Sequence, residues 1–248
     1  MVNTFAAHCG LKRIAPPPGC IAIDPHVHSL YSSCCISPIE DLIIRAAKMG
    51  LSAVAIMDHN DLRSVKHAVD CAEDLKRRRL IPEDFVLIPG TEVSCGGAHH
   101  IGALFVNEPI PEGLGVKGTL ERIHEAGGLA IAVHPYLRSG IGDELFDAPF
   151  DAVEIESGSI FRQTAVERGY ALLTDERLRN VAKLGSSDAH YIRTVGLCCT
   201  LIKTSEVTPA AIRSAIVEGR CEPHSTDACL RLRKLLGSFL QPEDRASH

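Results

Sequence analysis

The chain has 248 residues, of which 45% are hydrophobic and 23% are charged, which are ordinary values for one large globular domain. It contains no Trp and only 4% aromatic residues, so it lacks the stacking platforms that bind single-stranded nucleic acid. The formal net charge of -5 also gives no indication of extended nucleic-acid binding. A small anionic substrate remains compatible with this charge, because bound metal ions would supply local positive charge.

The cysteine pattern and the apolar segments bear on where the protein works. No CxxC pair occurs, and residues 1–15 contain no continuous apolar segment of the kind found in a signal peptide. No apolar run approaches the roughly 18 residues that a transmembrane helix needs. We therefore expect a cytoplasmic protein with reduced, mostly buried thiols and no membrane span. Buried thiols, as opposed to metal ligands, are expected at Cys34, Cys35 and Cys95.

Short apolar segments alternate with amphipathic ones along the chain. Strands are predicted at 20–23, 51–57, 85–88, 100–106, 129–133, 152–155 and 181–184. Helices are predicted after Ser37-Pro38, at about 62–79, from Thr119 to Gly127, around 163–173 and from Thr208 to Gly219. Buried strands that alternate with helices are typical of parallel βα units, and seven of them in this length favour a closed or nearly closed barrel. We expect an N-terminal extension at 1–19, a single barrel domain at 20–240 and a C-terminal tail at 241–248.

Histidines and carboxylates lie at the ends of most of the predicted strands. The segments, in chain order, are Asp24-Pro25-His26-Val27-His28, Asp58-His59-Asn60, Glu92, His99-His100, His134-Pro135 and Ser187-Asp188-Ala189-His190. The strand ends of a βα barrel converge on one rim, so these side chains are predicted to form a single site. Each segment alone could be a turn or a helix cap, but their repetition at successive strand ends favours a functional interpretation.

The spacing and chemistry of these residues indicate a metal centre. His26 and His28 are two residues apart, so their rings point to the same side of an extended segment, and Asp188 and His190 repeat this arrangement. Imidazole and carboxylate groups together suit Zn, Mn or Fe, whereas Mg and Ca sites are built from oxygen. The candidate ligands are too many for one tetrahedral ion. Two or three ions are therefore predicted, with Glu92 as a plausible bridge between two of them.

Two pairs of adjacent residues require a choice, because neighbours on a strand cannot both point inward. At Asp58-His59 we expect His59 to be the ligand and Asp58 to be a hydrogen-bond acceptor behind it, or an occasional ligand. At His99-His100 we favour His100, partly because Gly102 would leave room beside it on the same face. His99 stays an alternative.

Further residues have weaker assignments. His190 or His59 could transfer a proton, although ligation is the main role expected for both. Arg138 and Arg193 follow two of the motifs and are candidates for holding a phosphate, with surface salt bridges as the alternative. The remaining histidines fall outside the pattern and are expected to be surface or core residues: His8, His67, His124, His224 and His248.

Together these segments resemble the PHP family, named for polymerase and histidinol phosphatase domains. The stretches that carry the resemblance are DPHVHSLYSSC, AIMDHND, IPGTEVS, HIGALF, AIAVHP and GSSDAH. The resemblance implies a distorted (β/α)7 barrel that holds up to three Mn, Fe or Zn ions and hydrolyses phosphate esters. It implies ligands at His26, His28, His59, Glu92, His100, His134, Asp188 and His190. Many members have Asp five residues after the second His of HxH, where this chain has Ser33 followed by Cys34, so a third ion would be weaker, differently ligated or absent.

Our leading hypothesis is a metal-dependent phosphoesterase. A hydroxide bridging two ions about 3.5–4 Å apart would attack phosphorus in line. The expected partner is a small phosphorylated metabolite, a nucleotide or an oligonucleotide end. One alternative is amidohydrolase-type C–N or C–O hydrolysis, which commonly needs a carboxylated Lys at a strand end; Lys183, inside the seventh strand, is the nearest candidate. The other alternative is a non-catalytic, metal-stabilised module of a larger assembly.

Overall fold

The computed structural model describes residues 12–239, with side chains up to residue 236. This part of the chain contains nine β-strands and six α-helices. The strands are β1 (Cys20–Val27), β2 (Ala53–Ile56), β3 (Val86–Gly96), β4 (His99–Leu104), β5 (Leu129–Ala132), β6 (Ala152–Ser157), β7 (Ala182–Ser186), β8 (Cys198–Lys203) and β9 (Cys221–Ser225). The helices are α1 (Ile39–Lys48), α2 (Arg63–Arg77), α3 (Gly115–Glu125), α4 (Gln163–Ala171), α5 (Pro209–Val217) and α6 (Asp227–Phe239).

The strands form one sheet in the order β7-β6-β5-β4-β3-β2-β1-β8-β9. Strands β1, β2 and β3 are parallel to one another, as are β5, β6 and β7. Strand β4 is antiparallel to both β3 and β5, while β8 is antiparallel to β1 and β9 is antiparallel to β8. The seven predicted strands correspond to β1–β7, but β4 is antiparallel to its neighbours where a parallel strand was expected, and β8 and β9 were not predicted.

The two ends of the seven-strand part of the sheet come together, which makes the sheet a nearly closed barrel. A parallel bridge joins Val27 of β1 to Ala189 just beyond β7. Within β7, the carbonyl of Gly185 accepts a hydrogen bond from the hydroxyl of Thr200 on β8 at 2.7 Å. A Cβ at Gly185 would lie 2.4 Å from the carbonyl oxygen of Cys199, so only glycine lets the strands approach this closely. The predicted fold class, a distorted α/β barrel, is confirmed.

The interior of the barrel is apolar toward the amino ends of its strands, and α5 covers that end. Ile212 and Ile216 of α5 belong to the same buried cluster as Ile23, Met57 and Leu184 inside the barrel. The outer face of β1 and β2 is covered by α1 and α2, and a further buried cluster lies on the outer face of β3 to β6. This packing fills the lower part of the barrel and leaves the opposite rim for polar side chains.

Helix α1 shows how the sequence produces this outer layer. Ile39, Leu42, Ile43 and Ala46 are buried, and their three- and four-residue spacing places them on one face of the helix. Acidic residues lie in its first turn and basic residues in its last turn, which complements the helix dipole. Helix α1 directly follows the loop after β1, so its packing fixes the position of that loop.

Other expectations concern the termini and the cysteines. Residues 1–11 and 240–248, including His8 and His248, lie outside the described residues. Within the predicted N-terminal extension, Ile14 is buried against α1. The nine cysteines of the described part are free thiols, and Cys35 and Cys95 are buried, but Cys34 is exposed. The expectation of a buried Cys34 is wrong because this residue lies in the open loop between β1 and α1. Among residues 12–239, none of the helices is long and apolar enough to traverse a bilayer.

Candidate metal centre

The predicted site residues converge on the rim formed by the carboxyl ends of the parallel strands. His26 is near the end of β1 and His28 directly follows it, while His59 and His134 follow β2 and β5. His100 reaches the same rim for a different reason, because it lies at the beginning of β4, which runs in the opposite direction. The antiparallel pairing of β3 with β4 therefore brings His100 to the site, where a parallel β4 would have placed it at the other end of the barrel.

Glu92 is the centre of the cluster. Its side chain is 1% exposed, and it lies within β3, two strand positions before Ser94. Its Oε2 atom lies 3.4 Å from His26 Nε2, 3.2 Å from His28 Nε2 and 3.2 Å from His59 Nδ1. Its Oε1 atom lies 3.1 Å from His100 Nδ1 and 3.0 Å from His134 Nε2. The two oxygens of one carboxylate therefore face two different sets of imidazoles.

Asp188 closes the cluster from the side of β7. Its Oδ1 atom lies 3.2 Å from His28 Nε2 and 3.6 Å from His26 Nε2. The ring of His190 lies 4.4 Å from that of His28, centroid to centroid, and its Nδ1 atom donates to the main-chain carbonyl of Asp188 at 2.9 Å. That bond leaves Nε2 of His190 as the nitrogen with a free lone pair. All of the predicted ligands thus lie in one connected cluster.

Asp58 faces away from the imidazoles and organises the loop after β1. Its carboxylate accepts hydrogen bonds from the Ser29 amide at 2.8 Å, the Ser29 hydroxyl at 2.6 Å and the Ser32 hydroxyl at 2.7 Å. Ser32 Oγ in turn accepts from the His59 amide at 3.0 Å and lies 3.3 Å from His28 Nδ1. Asp58 therefore positions two of the histidines through Ser32, as expected for an acceptor behind the cluster.

Glu154 is a site residue that the sequence interpretation missed. Its Oε1 atom lies 2.9 Å from Nδ1 of His26, and its Oε2 atom accepts from the main-chain amide of His134 at 2.9 Å. A carboxylate on Nδ1 fixes the tautomer of His26 and leaves Nε2 facing the centre of the cluster. The signal in the sequence is Glu154 itself, a carboxylate between the apolar residues Val153 and Ile155 of β6.

Several buried atoms at the centre have no hydrogen-bond partner within the described structure. They are Oε2 of Glu92, Nδ1 of His59, Nδ1 of His134 and Oδ1 of Asp188. Unpaired buried polar atoms are costly, each by about 1–3 kcal/mol, and are normally satisfied by a ligand or an ion. Lone pairs from imidazole nitrogens and carboxylate oxygens that converge in this way fit divalent cations of the transition series. The donor set is consistent with a metal centre.

Three overlapping groups of potential ligands can be distinguished, each with ligand atoms within 4.8 Å of one another. The first group consists of His26, His28 and Glu92, and the second of His59, Glu92 and His100. The third consists of His28, Cys34, His59 and His190. Glu92 is shared by the first two groups, and within the second group His59 contacts its Oε2 atom whereas His100 contacts its Oε1 atom.

The electrostatics of the cluster show how strongly it attracts positive charge. Burial alone would raise the pKa of Glu92, but His26 and hydrogen bonds from His100 and His134 outweigh it and hold that pKa well below the usual value. Burial opposes protonation of His28, yet its proximity to the carboxylates of Asp188 and Glu92 raises its pKa to about 9. In the protein alone, protons on histidine thus neutralise the carboxylates. A divalent cation would displace those protons.

The outer histidines differ from the inner ones. Burial lowers the pKa of His59 to about 4, and burial also lowers the pKa of His190. Both rings are partly open to solvent, with side-chain exposures of 26% and 29%. They are therefore neutral imidazoles at neutral pH, with lone pairs ready for a cation or a proton.

The backbone is strained where two of the carboxyl-end motifs leave their strands. His134 has φ of +29° and Asp188 has φ of +46°, in the left-handed region that favours glycine. Such conformations cost of the order of 1–3 kcal/mol in non-glycine residues, and they cluster at functional sites. The surrounding fold keeps them in place: Glu154 accepts from the amide of His134, and Asp24 accepts from the amide of Ser187 at 2.9 Å.

Of the two candidate residues at the start of β4, the structure places His100 beside Glu92. His99 contributes its main-chain carbonyl to a hydrogen bond from the Cys95 thiol. Gly102 pairs with Glu92 across the β3–β4 ladder, and a Cβ there would lie 2.7 Å from both Met57 and Val133. The room expected beside His100 is therefore taken up by core side chains.

The two candidate arginines lie in different surroundings. Arg138 is exposed in the turn between His134 and Ser139, whose carbonyl accepts from the His100 amide at 2.8 Å. It is therefore flanked by two residues tied to the cluster. Arg193 is exposed in the 3-10 helix Ile192–Thr194, beside α1, where burial and the charge of Arg193 together lower the pKa of Arg45.

Of the histidines expected to lie outside the site, the three in the described part of the chain are located away from the cluster. His67 pairs with the Tyr31 hydroxyl at 3.2 Å, His124 pairs with Asp151 at 2.8 Å, and His224 lies half-buried in β9. Nζ of Lys183 donates to the carbonyl of Val181 at 2.6 Å and to that of Leu178. Lys183 is thus turned toward the amino end of β7, opposite to the rim.

Comparison with known proteins identifies the family. The sequence model of the PHP domain matches residues 24–187, and a PHP-associated model matches residues 177–221. Since the first match covers more than half of the chain, the protein belongs to the PHP family, as the resemblance indicated.

Individual relatives agree with this assignment. An uncharacterized protein of Methanocaldococcus jannaschii, MJ1587, is 34% identical over 145 residues, which are 53% of this chain and 79% of the relative. A two-domain protein from Bacteroides vulgatus, containing a predicted PHP-like metal-dependent phosphoesterase, superposes with a TM-score of 0.62 at 19% identity, over 90% of this chain and 73% of that one. A protein from Chromobacterium violaceum described as an amidohydrolase superposes with a TM-score of 0.55 at 18% identity, over 83% of this chain and 99% of that one. At these identities the two structures establish the fold alone.

Proposed function

We propose that the protein is a metal-dependent phosphoesterase that hydrolyses phosphate esters of small metabolites, nucleotides or oligonucleotide ends. The observation that carries this proposal is the position of Glu92, whose two oxygens face separate sets of histidines. A carboxylate in this position is suited to bridge two cations. Two cations held in this way would supply the chemistry that is typical of sites that cleave phosphate esters in line.

The residues that would hold the ions follow from the cluster. One ion would be held by His26, His28, Glu92 and Asp188, and another by Glu92, His59, His100 and His134. The donor set suits Mn, Fe or Zn. Two such cations supply Lewis acidity and lower the pKa of coordinated water.

The chain's own groups have further roles in the proposed reaction. Glu154 holds His26 in one tautomer, and Asp58 keeps the loop after β1 in place through Ser32. His190 is partly exposed and neutral, with Nε2 available, so it can exchange a proton with water or with the leaving group if it is not ligated. Arg138 is suited to bind a phosphoryl oxygen at the rim.

The amidohydrolase alternative is less well supported. Enzymes of that kind commonly rely on a carboxylated lysine at the carboxyl end of a strand, and Lys183 faces the other end of the barrel. The likeness to the Chromobacterium violaceum protein concerns the fold and does not change this argument. Phosphate ester hydrolysis also agrees with the description of the Bacteroides vulgatus protein as a predicted phosphoesterase.

A substrate panel tests the proposal. Phosphomonoesters, nucleotides and short oligonucleotides are incubated with the protein after it is loaded with Mn, Fe or Zn, and amides and lactones serve as the rival set. Asp188→Asn should abolish turnover and lower the metal content, whereas Asp84→Asn, at an exposed position, should change neither. Turnover of amides or lactones without turnover of any phosphate ester would reject the proposal, as would inactivity on the whole panel with metal content verified by elemental analysis.

A further inference from the structure

Two cysteines face each other where the last described helix meets the sheet. Cys198 begins β8 and Cys229 lies in the first turn of α6, and both side chains are fully buried. The thiol of Cys198 donates to Sγ of Cys229 at 3.2 Å, and Sγ of Cys198 also lies 3.2 Å from the hydroxyl of Ser225. The sulfurs of a disulfide are about 2.05 Å apart, so this pair needs an approach of only about 1 Å to form one.

The surroundings make the two thiols chemically different. Arg233 lies one helical turn after Cys229 and therefore on the same face of α6. The hydrogen bond from Cys198 and the positive charge of Arg233 lower the pKa of Cys229, although burial and the nearby Glu156 oppose this shift. Burial raises the pKa of Cys198 well above its usual value. Because the thiolate is the nucleophile in disulfide exchange, Cys229 is the sulfur suited to attack first.

Access to this pair depends on helix α6. The first turn of the helix is held by a small buried cluster in which Leu197 and Ala228 accompany the two cysteines and the half-buried Leu232 packs against them. Elements with few buried apolar contacts open locally at a lower free energy than the core of a domain. A small reagent can therefore reach the thiols when this turn opens, while the barrel stays folded.

We propose that Cys198 and Cys229 form a reversible disulfide that fastens α6 to the sheet in the presence of a low-molecular-weight disulfide such as oxidised glutathione. The Cys229 thiolate attacks one sulfur of the reagent, so that a mixed disulfide forms and one thiolate of the reagent leaves. Cys198 then gives up its proton to solvent, and its sulfur attacks Sγ of Cys229 and releases the second thiolate. The two cysteines lose two electrons in total, and the reagent gains them.

The disulfide acts on the attachment of α6 to the barrel. In the reduced chain this attachment includes the ion pair of Arg233 with Glu156 on β6 and hydrogen bonds from Arg233 to the carbonyls of Ser157 and Ile160. A covalent bond one turn earlier in the helix keeps these groups together and restricts the unfolded chain. Oxidation should therefore raise the Tm by roughly 5–10 °C.

Peptide mapping of the wild-type chain identifies the bond directly. The protein is incubated with oxidised glutathione, free thiols are blocked under denaturing conditions, and unreduced tryptic fragments are analysed by mass spectrometry. The expected product joins fragment 194–203 to fragment 221–231 and disappears on treatment with dithiothreitol. These fragments also contain Cys199 and Cys221, which makes Cys199→Ala and Cys221→Ser the matched controls. Both controls should keep the cross-link, whereas Cys198→Ala and Cys229→Ser should each lose it.

Each outcome bears on the proposal. Wild-type fragments that stay unlinked, or a cross-link that persists in Cys198→Ala or Cys229→Ser, would overturn the assignment of the pair. A cross-link that forms without any rise in Tm would overturn the fastening of α6. A reversible cross-link with a higher Tm, both absent from Cys229→Ser, would support the proposal. None of these measurements records turnover, so their result is independent of the proposed function.

Discussion

Two buried carboxylates in this barrel, Glu92 and Glu156, lie in very different surroundings. Glu156 on β6 accepts hydrogen bonds from the hydroxyls of Tyr170 and Ser225 and pairs with Arg233 of α6. Glu92 on β3 is surrounded by imidazoles, and its Oε2 atom has no hydrogen-bond partner within the described structure. Both side chains are almost fully buried: that of Glu156 is 4% exposed and that of Glu92 is 1% exposed.

The difference lies in where each carboxylate obtains its cation. Arg233 supplies a permanent positive charge, and its guanidinium also donates to the carbonyls of Ser157 and Ile160. Histidines supply a charge only while they hold a proton, and they exchange it readily for a metal. The pair of Glu156 and Arg233 is thus a structural contact that needs no further cation. Glu92, which is surrounded by histidines, is instead suited to bind a cation from solution.

The largest effect is expected when the negative charge of Glu92 is removed. Glu92→Gln removes the bridging oxygen anion, so metal content and hydrolysis should both fall, the rate by on the order of 1000-fold or more. Glu156→Gln should leave metal content per folded chain unchanged. Elemental analysis and initial rates measure the two effects. Normal metal content in Glu92→Gln would erase the distinction between the two carboxylates.

Removing the arginine should affect stability and little else. Arg233→Met leaves Glu156 buried without its partner, which costs about 3–5 kcal/mol of unfolding free energy. Urea denaturation measures this loss, and Lys234→Met, exposed on the same helix, is the matched control. If Arg233→Met proved as stable as the control, the link between β6 and α6 would not be structural.

Removal of metal ions by a chelator should lower the stability that depends on Glu92 and leave the contribution of Glu156 unchanged. Ions that bind only the folded state add about 2.7 kcal/mol at a hundred times Kd, so a chelator should lower the Tm of the loaded protein by roughly 5–10 °C. In Glu92→Gln the same treatment should have little effect on the Tm. The Tm of loaded Glu156→Gln should be lower than that of the wild type, but the chelator should reduce it by the same amount. Differential scanning calorimetry checks this, and an equal response in both variants would contradict the assignment.

Glu154 offers a finer test, because it acts on the cluster through His26. Glu154→Gln keeps an acceptor for Nδ1 of His26 but loses the negative charge, so metal affinity should fall about 10–100-fold with the fold intact. Competition with a chelating dye measures the affinity, with Glu222→Gln on the exposed side of β9 as control. Unchanged affinity would show that Glu154 has only a packing role.

The smallest expected effect is on substrate binding. Arg138→Ala should raise KM for a phosphate ester about tenfold with little change in kcat, because the loss concerns a phosphate contact at the rim. Arg138→Lys should recover part of it. A KM equal to that of the wild type would remove Arg138 from the proposed site without affecting the roles of the two carboxylates.

Local patterns were sufficient to predict most of the cluster. A charged or imidazole side chain shortly after an apolar segment is visible in the sequence, and this signal identified seven of the eight candidate ligands. His100 instead lies at the start of β4 and reaches the rim because that strand is antiparallel. Glu154 was missed because it lies inside β6 and is recognisable only when its partners His26 and His134 are known.

Strand direction and the C-terminal strands were harder to predict, because both depend on contacts between distant segments. Gly96 and Gly97, with φ of +143° and +60°, form the tight turn into β4, and so short a connection permits only antiparallel pairing. That glycine pair was a usable signal for the hairpin. Strand β9 was not recognisable, since it contains Pro223 and lacks an apolar run; it pairs with β8 as the last strand of the sheet, a position that tolerates proline.

Helix α5 determines at which end of the barrel small molecules can enter and leave. Because it seals the amino end of the barrel with apolar side chains, a solute cannot cross along the barrel axis within the described structure. In the proposed reaction, the substrate and both products would therefore pass through the opening at the histidine-lined end. Released phosphate would have to leave before the next substrate binds, so inorganic phosphate is expected to act as a competitive inhibitor.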